Sequence, residues 1–251
     1  MKNPFITFLV FLFFASSKAQ NFTEELFKTF VEMRVGKGEP VYWYCIGEIY
    51  EFPSGKLIAK VEGIDTAKIL TSESTATRAV QLSRKIFFYR NPTTNEILRE
   101  YNGLKVEPIA YPYQLIIYEL KDGRIISTVT QGKNPKIQRI SSSAGTIVRR
   151  FDELLVFSSP LFIDSPNYKA YENYDFFIQP DNIKPKYQLS WFRRSLLPSF
   201  FGGKDSVFQL VAYRVDKYEE LPASIREVLE KEARMWMQPP KDLKEIEELQ
   251  K

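Results

Sequence analysis

The side chains that this sequence could use for chemistry are carboxylates, tyrosines, lysines and arginines. Histidine is absent from all 251 residues, and Cys45 is the single cysteine. The absence of histidine excludes Ser/His/Asp and Cys/His nucleophiles and every histidine-ligated metal centre. A lone cysteine forms no disulfide within one chain. We therefore expect no metal, no cofactor and a fold that stands without disulfides.

An aromatic strand candidate at 41–52 carries the first candidate binding residues. Because side chains alternate along a strand, Trp43 and Cys45 share one face while Tyr42 and Tyr44 share the other. Both faces are apolar, so one can pack beneath a helix while the other faces a barrel interior or an inter-sheet core. A ligand cavity would give the tyrosine hydroxyls hydrogen-bond partners. Ordinary core tyrosines that reach the rim are the alternative.

Charged side chains on strand candidates form the second group. Arg84 lies on an otherwise apolar face, and Arg193 and Arg194 point to opposite faces of one strand. Each arginine must be paired, lie at a rim or receive an anion, and pairing at a rim is the simpler alternative. Glu48, Glu62 and Asp175 are the first acids to consider as partners, because each lies inside a strand candidate. The full candidate set for ligand binding is Tyr42, Trp43, Tyr44, Glu62, Arg84, Tyr89, Asp175, Trp191 and Arg193.

Period-two apolar runs between Val41 and Val215 predict a long series of short strands with no helix between them. The predicted strands are 41–52, 57–64, 76–89, 96–101, 113–120, 124–130, 136–140, 146–152, 154–157, 174–179, 187–192 and 207–215. Such a series favours a mainly β fold, an antiparallel meander that closes as a barrel of lipocalin-like size or folds as a sandwich. We expect a single β-rich domain at 20–240.

One helix is predicted on either side of the strand series. The first, at 21–34, keeps its apolar residues on one face and stops at Gly36. The second begins at Pro222 and runs as one apolar stripe to Trp236. We expect an N-terminal and a C-terminal helix to pack on the domain and cap its two ends. The charged tail at 241–251 is expected to be a loosely attached short helix or a frayed end.

Residues 1–19 have the three-part layout of a secretory signal. Lys2 precedes an apolar run at 5–14, and Ser17 and Ala19 supply the small residues that favour cleavage before Gln20. The run is too short to cross the ~30 Å hydrocarbon core of a bilayer, and no later stretch supplies the roughly 20 apolar residues of a membrane span. We therefore expect a signal peptide, no membrane span and a secreted or periplasmic protein.

The charge balance argues against a nucleic-acid partner. The formal net charge of the whole chain is only +4, and it falls further when Lys2 and Lys18 leave with the signal. The basic residues are scattered along the chain and form no stripe. With 20 Phe, 14 Tyr and 3 Trp, the chain has ample apolar area for a core.

Two ordered blocks of residues carry a resemblance to a known family. The first block is Pro40, Val41, Tyr42, Trp43, Gly47, Tyr50, Glu62, Gly63, Phe88, Tyr89, Arg90, Asn91, Pro92, Glu96, Ile97 and Leu98. The second is Tyr174, Asp175, Phe176, Phe177, Ser190, Trp191, Arg193, Pro198, Gly203, Leu221, Pro222 and Ala223. Together they resemble a bacterial family catalogued as domain of unknown function 1838, over most of residues 40–235.

The chain departs from that family pattern in three places. Lys85 stands where an acid is usual, and Tyr101 stands where a tryptophan is usual. The segment after Gly103 is shortened and lacks a histidine. The resemblance implies no established activity, so it locates the protein in a family without assigning it a reaction.

Three classes of function remain open from the sequence. The first is binding of a lipophilic or aromatic small molecule in a barrel cavity beside Trp43 and Trp191. The second is a hydrolase, isomerase or lyase in the same cavity, with Asp175 or Glu62 as base and Arg193 as electrostatic stabiliser. The third is an interaction module whose aromatic strand face docks a partner protein. An open barrel interior would favour the first two, and a filled one would leave the third.

Overall fold

Strands dominate the computed structural model, which describes residues 21–132, 138–141, 145–165 and 168–251. The strands are β1 Val41–Glu51, β2 Leu57–Ile69, β3 Arg78–Arg90, β4 Glu100–Tyr101, β5 Leu104–Lys105, β6 Ile109–Lys121, β7 Arg124–Gln131, β8 Gln138–Ser141, β9 Ile147–Phe151, β10 Leu154–Ser165, β11 Tyr168–Ile178, β12 Tyr187–Leu196 and β13 Asp205–Val215. The helices are α1 Glu24–Val35, α2 Ala223–Glu232 and α3 Leu243–Gln250. The mainly β fold predicted from the sequence is confirmed. The predicted signal at 1–19 lies outside the described residues.

Eleven of these strands form one antiparallel sheet that curls into a barrel. Their order is β8-β7-β6-β3-β2-β1-β13-β12-β11-β10-β9. The two flanks of the sheet meet where Ile125 in β7 bridges Thr146, whose N–H donates to the Ile125 carbonyl at 2.9 Å. Ten strands thereby form a nearly closed barrel, and β8 runs alongside β7 beyond that bridge. A single continuous curled sheet decides between the barrel and the sandwich that the sequence left open.

The barrel has one incomplete side, which we call the seam. It lies between β8 and residues 161–165 of β10. β9 pairs with β10 only as far as Ser158, and Ser159 is still hydrogen-bonded to Thr146 at 2.7 Å. The described residues form no ladder between β8 and residues 161–165. The seam is therefore the side on which the described strands do not complete the barrel.

Two glycines allow the strands to approach closely. A Cβ on Gly63 would lie 2.1 Å from the carbonyl oxygen of Ile86 and 2.4 Å from a ring carbon of Phe87. A Cβ on Gly47 would lie 2.2 Å from the carbonyl oxygen of Gln209. These contacts involve backbone atoms that cannot move aside, so only glycine fits at either position.

Helix α1 closes one end of the barrel, as the sequence predicted. Thr23 caps its first turn by accepting the N–H of Leu26 at 3.2 Å. The ring of Phe30 lies 5.2, 5.5 and 6.0 Å from the rings of Tyr118, Phe157 and Phe176. Tyr118 belongs to β6, near one end of the sheet order, whereas Phe157 and Phe176 belong to the neighbouring strands β10 and β11 near the other end. The helix must therefore lie across the barrel mouth.

Aromatic residues close the opposite end. The rings of Phe200 and Phe201, in a short 3₁₀ turn, lie 5.6 and 5.1 Å from the ring of Tyr89 near the end of β3. Tyr101 adds a contact at 4.9 Å to Phe201. The strand predicted at 96–101 is mostly wrong, because only Glu100–Tyr101 forms a strand, paired with β5 in a small separate hairpin.

The C-terminal helices pack on the outside of the barrel and do not cap its second end. Ile225 and Leu229 of α2 are completely buried in a cluster with Tyr42, Ile64 and Ile86 from the outer face of β1, β2 and β3. The stripe predicted to reach Trp236 is interrupted, because Ala233 ends α2 with φ −145° and ψ 42° and Trp236 falls in the next 3₁₀ turn. No helix in the described ranges is long and apolar enough to cross a membrane.

Segment 241–251 forms a short helix, α3, as one of the two predicted alternatives had it, but the helix is packed on the barrel, so the predicted loose attachment is wrong. Asp242 caps α3 by accepting the N–H of Glu245 at 2.9 Å. Ile246 is only 2% exposed and packs against Leu82 and Tyr113 on the barrel wall. One buried side chain and one cap thus anchor an otherwise charged helix.

Candidate functional site

The barrel encloses a cavity of about 150 Å³ between α1 and the end closed by the aromatic residues. A cavity of this order accommodates a benzene ring in an engineered protein core. Most of its lining is aliphatic or aromatic and includes both Trp43 and Trp191. The ionisable lining residues are Arg34, Cys45, Asp65, Lys85, Tyr111, Tyr118, Glu172, Tyr174 and Arg193. The cavity is therefore apolar in its walls and charged at a few points.

Strand alternation determines which side chains reach the cavity. On β1, Trp43 and Cys45 point inward, while Tyr42 and Tyr44 point outward. The register then places Asp65 of β2 directly opposite Trp43, so its carboxylate enters the same layer. Similar alternation brings lining residues of β3, β11 and β12 into the interior. On β6 the alternation shifts by one residue between Tyr111 and Gln114, where the register with β3 is irregular.

Arg34 reaches the cavity from α1 and forms a buried ion pair. Its Nη2 lies 2.6 Å from Oδ2 of Asp65, and both side chains are less than a tenth exposed. The indole Nε1 of Trp43 donates to the backbone carbonyl of Arg34 at 3.0 Å. Burial lowers the pKa of Arg34, but the charges of Asp65 and Tyr118 and the hydrogen bonds to both side chains together more than offset this, so the pKa lies above its usual value. The two charges neutralise each other and attach the helix to the barrel wall.

Glu172 on β11 is a buried carboxylate held by two neutral donors. The hydroxyl of Tyr174 donates to Oε2 at 2.6 Å, and Nε1 of Trp191 donates to the same oxygen at 3.2 Å. Glu172 is 7% exposed and forms no ion pair with any described residue. Burial, followed by the charge of Glu172, raises the pKa of Tyr174 well above its usual value. Tyr174 therefore remains a hydrogen-bond donor at neutral pH.

Arg193 on β12 is held by aromatic rings. Its guanidinium carbon lies 3.7 Å from the ring centroid of Phe208 and 5.4 Å from that of Trp191. Its Nε is buried and has no hydrogen-bond partner among the described residues. Glu172 stands directly opposite it in the sheet register, yet no ion pair joins the two. Arg193 thus presents an uncompensated positive charge to the cavity.

Lys85 on β3 is the second cation of the cavity lining that has no partner carboxylate among the described residues. It stands opposite Asp65 of β2 and Tyr111 of β6 in the register. Its Nζ lies 5.9 Å from the ring centroid of Phe87. Cys45 lies in the same wall, where burial raises the pKa of its thiol to about 12 and makes it a poor nucleophile.

Three of the nine sequence candidates meet in the cavity: Trp43, Trp191 and Arg193. Tyr89 lies in the interior but near the end closed by Phe200 and Phe201. The remaining candidates face outward, and the structure gives each of them a partner there.

Four of the outward candidates lie beneath the C-terminal segment, namely Tyr42, Tyr44, Glu62 and Arg84. The hydroxyl of Tyr44 donates to Oε1 of Glu62 at 2.6 Å, and Glu62 also forms an ion pair with Arg90. Tyr42 accepts from the amide of Gln238 at 3.1 Å.

Arg84 and Asp175 have structural contacts on the outer face as well. The Nε of Arg84 donates to the Pro112 carbonyl at 2.8 Å, and its guanidinium also pairs with Glu245 of α3. Asp175 accepts from the amide of Asn173 at 2.7 Å. Neither Glu62 nor Asp175 reaches the cavity, so neither is placed to act as a base there.

Sequence reasoning missed Arg34, Asp65, Lys85, Glu172 and Tyr174. The strand predicted at 57–64 stops one residue before Asp65, and the strand predicted at 174–179 begins after Glu172. Both residues had a usable signal, because each continues the period-two alternation of its strand. The sequence contained no signal for Arg34, because the periodicity of a helix does not show which of its residues will point into a barrel.

The described residues contain no group of three or more histidine, cysteine, aspartate or glutamate side chains that could hold a metal ion.

The barrel falls within a recognised family, whereas α1, which supplies Phe30 and Arg34 to the cavity, precedes the matched residues. Neither a comparison with curated proteins nor one with solved structures found a match. A family model described as "Protein of unknown function (DUF1838)" matches residues 38–250, from just before β1 to the end of α3. This range includes the whole barrel and both C-terminal helices. The chain therefore belongs to the DUF1838 family, as its residue blocks predicted.

Proposed function

We propose that the barrel interior binds a small aromatic molecule. The observation that supports this most strongly is the cavity itself, which remains between two closed barrel ends and is lined by Trp43 and Trp191. Cores are normally close-packed, so an aromatic cavity of this size is a candidate ligand site. A filled interior would have favoured the interaction-module alternative.

The cavity volume limits the ligand to a single ring with small substituents. At about 150 Å³ it is smaller than the ~300–1,000 Å³ of sites that hold drug-sized ligands. Fatty acids, retinoids and sterols would require the barrel to expand. Among the lipophilic and aromatic compounds that the sequence suggested, monocyclic aromatics fit best.

Access is through the seam. Leu161 and Ile163 of β10 and Ile140 of β8 flank the gap, and all three line the cavity. Each is half-buried, so an aromatic ring crossing the seam would meet apolar side chains throughout. The helix and the aromatic end then need not move for a ligand to enter.

Tryptophan fluorescence tests the proposal. Single-ring aromatic compounds should change the emission of the wild-type protein, since a ring in the cavity packs on Trp43 and Trp191. Trp43→Phe and Trp191→Phe should each remove part of that change. Trp236→Phe is the matched control, because Trp236 lies on the outer face and donates to the carbonyl of Tyr111 at 3.2 Å. The proposal fails if no compound shifts emission or melting temperature at millimolar concentration.

A reaction in the same cavity is the second candidate function, and Glu172 is the observation that favours it. Both hydrogen bonds to this buried carboxylate reach Oε2, and no described residue donates to Oε1. Oε1 is therefore available as a general base, with Arg193 placed to stabilise developing negative charge. Glu172→Gln should abolish turnover of a bound compound while leaving its binding intact. Equal turnover by wild type and variant would remove this candidate.

A further inference from the structure

We infer that the ligand of the cavity carries an anionic group, a carboxylate or a phenolate, and that Arg193 and Lys85 receive it. This inference rests on the proposed function and specifies the chemistry of the ligand. It follows from the charges that line the cavity and from the partners that those charges have.

The lining carries more positive than negative charge. The cations are Arg34, Lys85 and Arg193, and the carboxylates are Asp65 and Glu172. Arg34 and Asp65 cancel each other in their 2.6 Å ion pair. Glu172 is then the one carboxylate left to balance two cations, Lys85 and Arg193. Its hydrogen bonds come from two neutral donors, Tyr174 and Trp191. One positive charge in the cavity is therefore left without compensation.

Arg193 has the geometry of an anion receptor. Its guanidinium carbon lies over the ring of Phe208, 3.7 Å from the ring centroid, so the ring restrains the position of the group. Stacking uses the face of the guanidinium and leaves its N–H edge available. No described residue supplies an oxygen acceptor for that edge, and the Nε is buried without a partner. A planar fork of donors with its orientation fixed in advance is suited to a carboxylate.

Lys85 supplies the second charge from the other side of the cavity. It projects from β3, whereas Arg193 projects from β12, and both side chains line the same space. The described residues offer its ammonium no ion pair, only the ring of Phe87 at 5.9 Å. A flexible lysine can follow an anion whose position is set by the arginine.

The apolar walls of the cavity strengthen the attraction between its cations and an anion. Partly desolvated cations without counter-charges are unfavourable, and an anion that enters the cavity compensates them where water screening is weak. The aromatic walls accept the ring of the ligand at the same time. The two features together specify an aromatic acid more closely than a neutral hydrocarbon.

Calorimetry with a charged and a neutral probe of nearly equal shape tests the inference. At pH 8, benzoate is ionised and benzamide is neutral. We expect the wild-type protein to bind benzoate about tenfold more tightly than benzamide, in line with the strength of charge-assisted hydrogen bonds. Arg193→Gln and Lys85→Gln should each reduce that preference, because each should lower the affinity for benzoate more than the affinity for benzamide.

Arg194→Gln is the matched control. Arg194 is the next residue on the same strand but points outward, where it pairs with Asp205 at 2.8 Å. It should leave both affinities unchanged. A circular dichroism spectrum and melting temperature close to those of the wild type show that the barrel of each cavity variant remains folded.

Two results would overturn the inference while leaving the proposed function intact. The first is equal binding of benzoate and benzamide by the wild type. The second is an equal loss of benzoate binding in Arg194→Gln and Arg193→Gln, which would indicate a general surface-charge effect. If neither probe binds, the proposed function itself fails and the inference falls with it.

Discussion

A few buried charged side chains affect the barrel interior more than the mainly apolar composition of its core suggests. Arg34 and Asp65 sit among Trp43, Cys45 and Phe176, where an uncompensated charge is costly. Asp65 Oδ1 is buried without a hydrogen-bond partner in the described structure, so the carboxylate depends on one close ion pair. The pair also joins α1 to β2, which gives it a structural role beside the cavity.

We predict that Asp65→Asn lowers the free energy of unfolding by about 3–5 kcal/mol, because it leaves Arg34 buried and unpaired. Asp205→Asn removes an exposed partner of Arg194 and should cost less than about 1 kcal/mol. Urea denaturation followed by circular dichroism measures both values. Similar losses in the two variants would show that burial adds nothing to the importance of the Arg34 pair.

At the scale of elements, the C-terminal helices act as an outer support for β1, β2 and β3. These strands contribute Trp43, Asp65 and Lys85 to the cavity through their inner faces. Their outer faces are covered by α2, the following 3₁₀ turn and α3. The other half of the barrel has no such cover within the described residues, and Phe162 and Leu196 there are more than half exposed. The C-terminal helices therefore support β1, β2 and β3, of which β3 carries Lys85.

We predict that Ile246→Ala destabilises the protein by about 2–4 kcal/mol, because it removes the one buried side chain of α3 from its contacts with Leu82 and Tyr113. Glu247→Ala, on the exposed side of the same helix, should change stability by less than about 0.5 kcal/mol. Chemical denaturation of the full-length chain compares the two. If Ile246→Ala were as silent as Glu247→Ala, α3 would contribute nothing to the stability of the barrel.

At the scale of the whole molecule, the two barrel ends are closed by different structural elements. The seam along the side of the barrel has no strand ladder among the described residues. The first closing element is α1 together with Phe22, which precedes it. The N–H of Phe22 donates to the Gly123 carbonyl at 2.9 Å, and its side chain is 6% exposed. The other is the aromatic cluster around Phe201. The described part of this end of the barrel is therefore anchored from Phe22 onward.

We predict that the exported protein starts at Gln20, two residues before Phe22. The prediction rests on Ser17 and Ala19 ahead of the cleavage point. Intact-mass measurement of the protein from the periplasm or culture medium of an expressing bacterium decides it. Exported soluble protein that still carries Met1 would contradict both the signal peptide and the secreted or periplasmic location.

Much of the fold was predictable because its determinants are local. Alternation of apolar residues gave most strands to within a few residues, and the end of the first helix followed from Gly36. The candidate site was less predictable. Trp43, Trp191 and Arg193 were found by alternation within strands, whereas Asp65 and Glu172 were lost to strand boundaries that local patterns place imprecisely.

The sequence alone determined that the protein is mainly β, that it has no histidine chemistry and that it resembles its family. These properties depend on composition, periodicity and the order of short blocks. Only the tertiary structure decided that the sheet closes as a barrel, that Glu62 and Asp175 face outward, and that Arg34 enters the interior. Those outcomes depend on contacts between residues far apart in the chain, such as Ile125 with Thr146 or Arg34 with Asp65. The direction of a side chain relative to a cavity is set by which strands become neighbours, and local patterns do not carry that information.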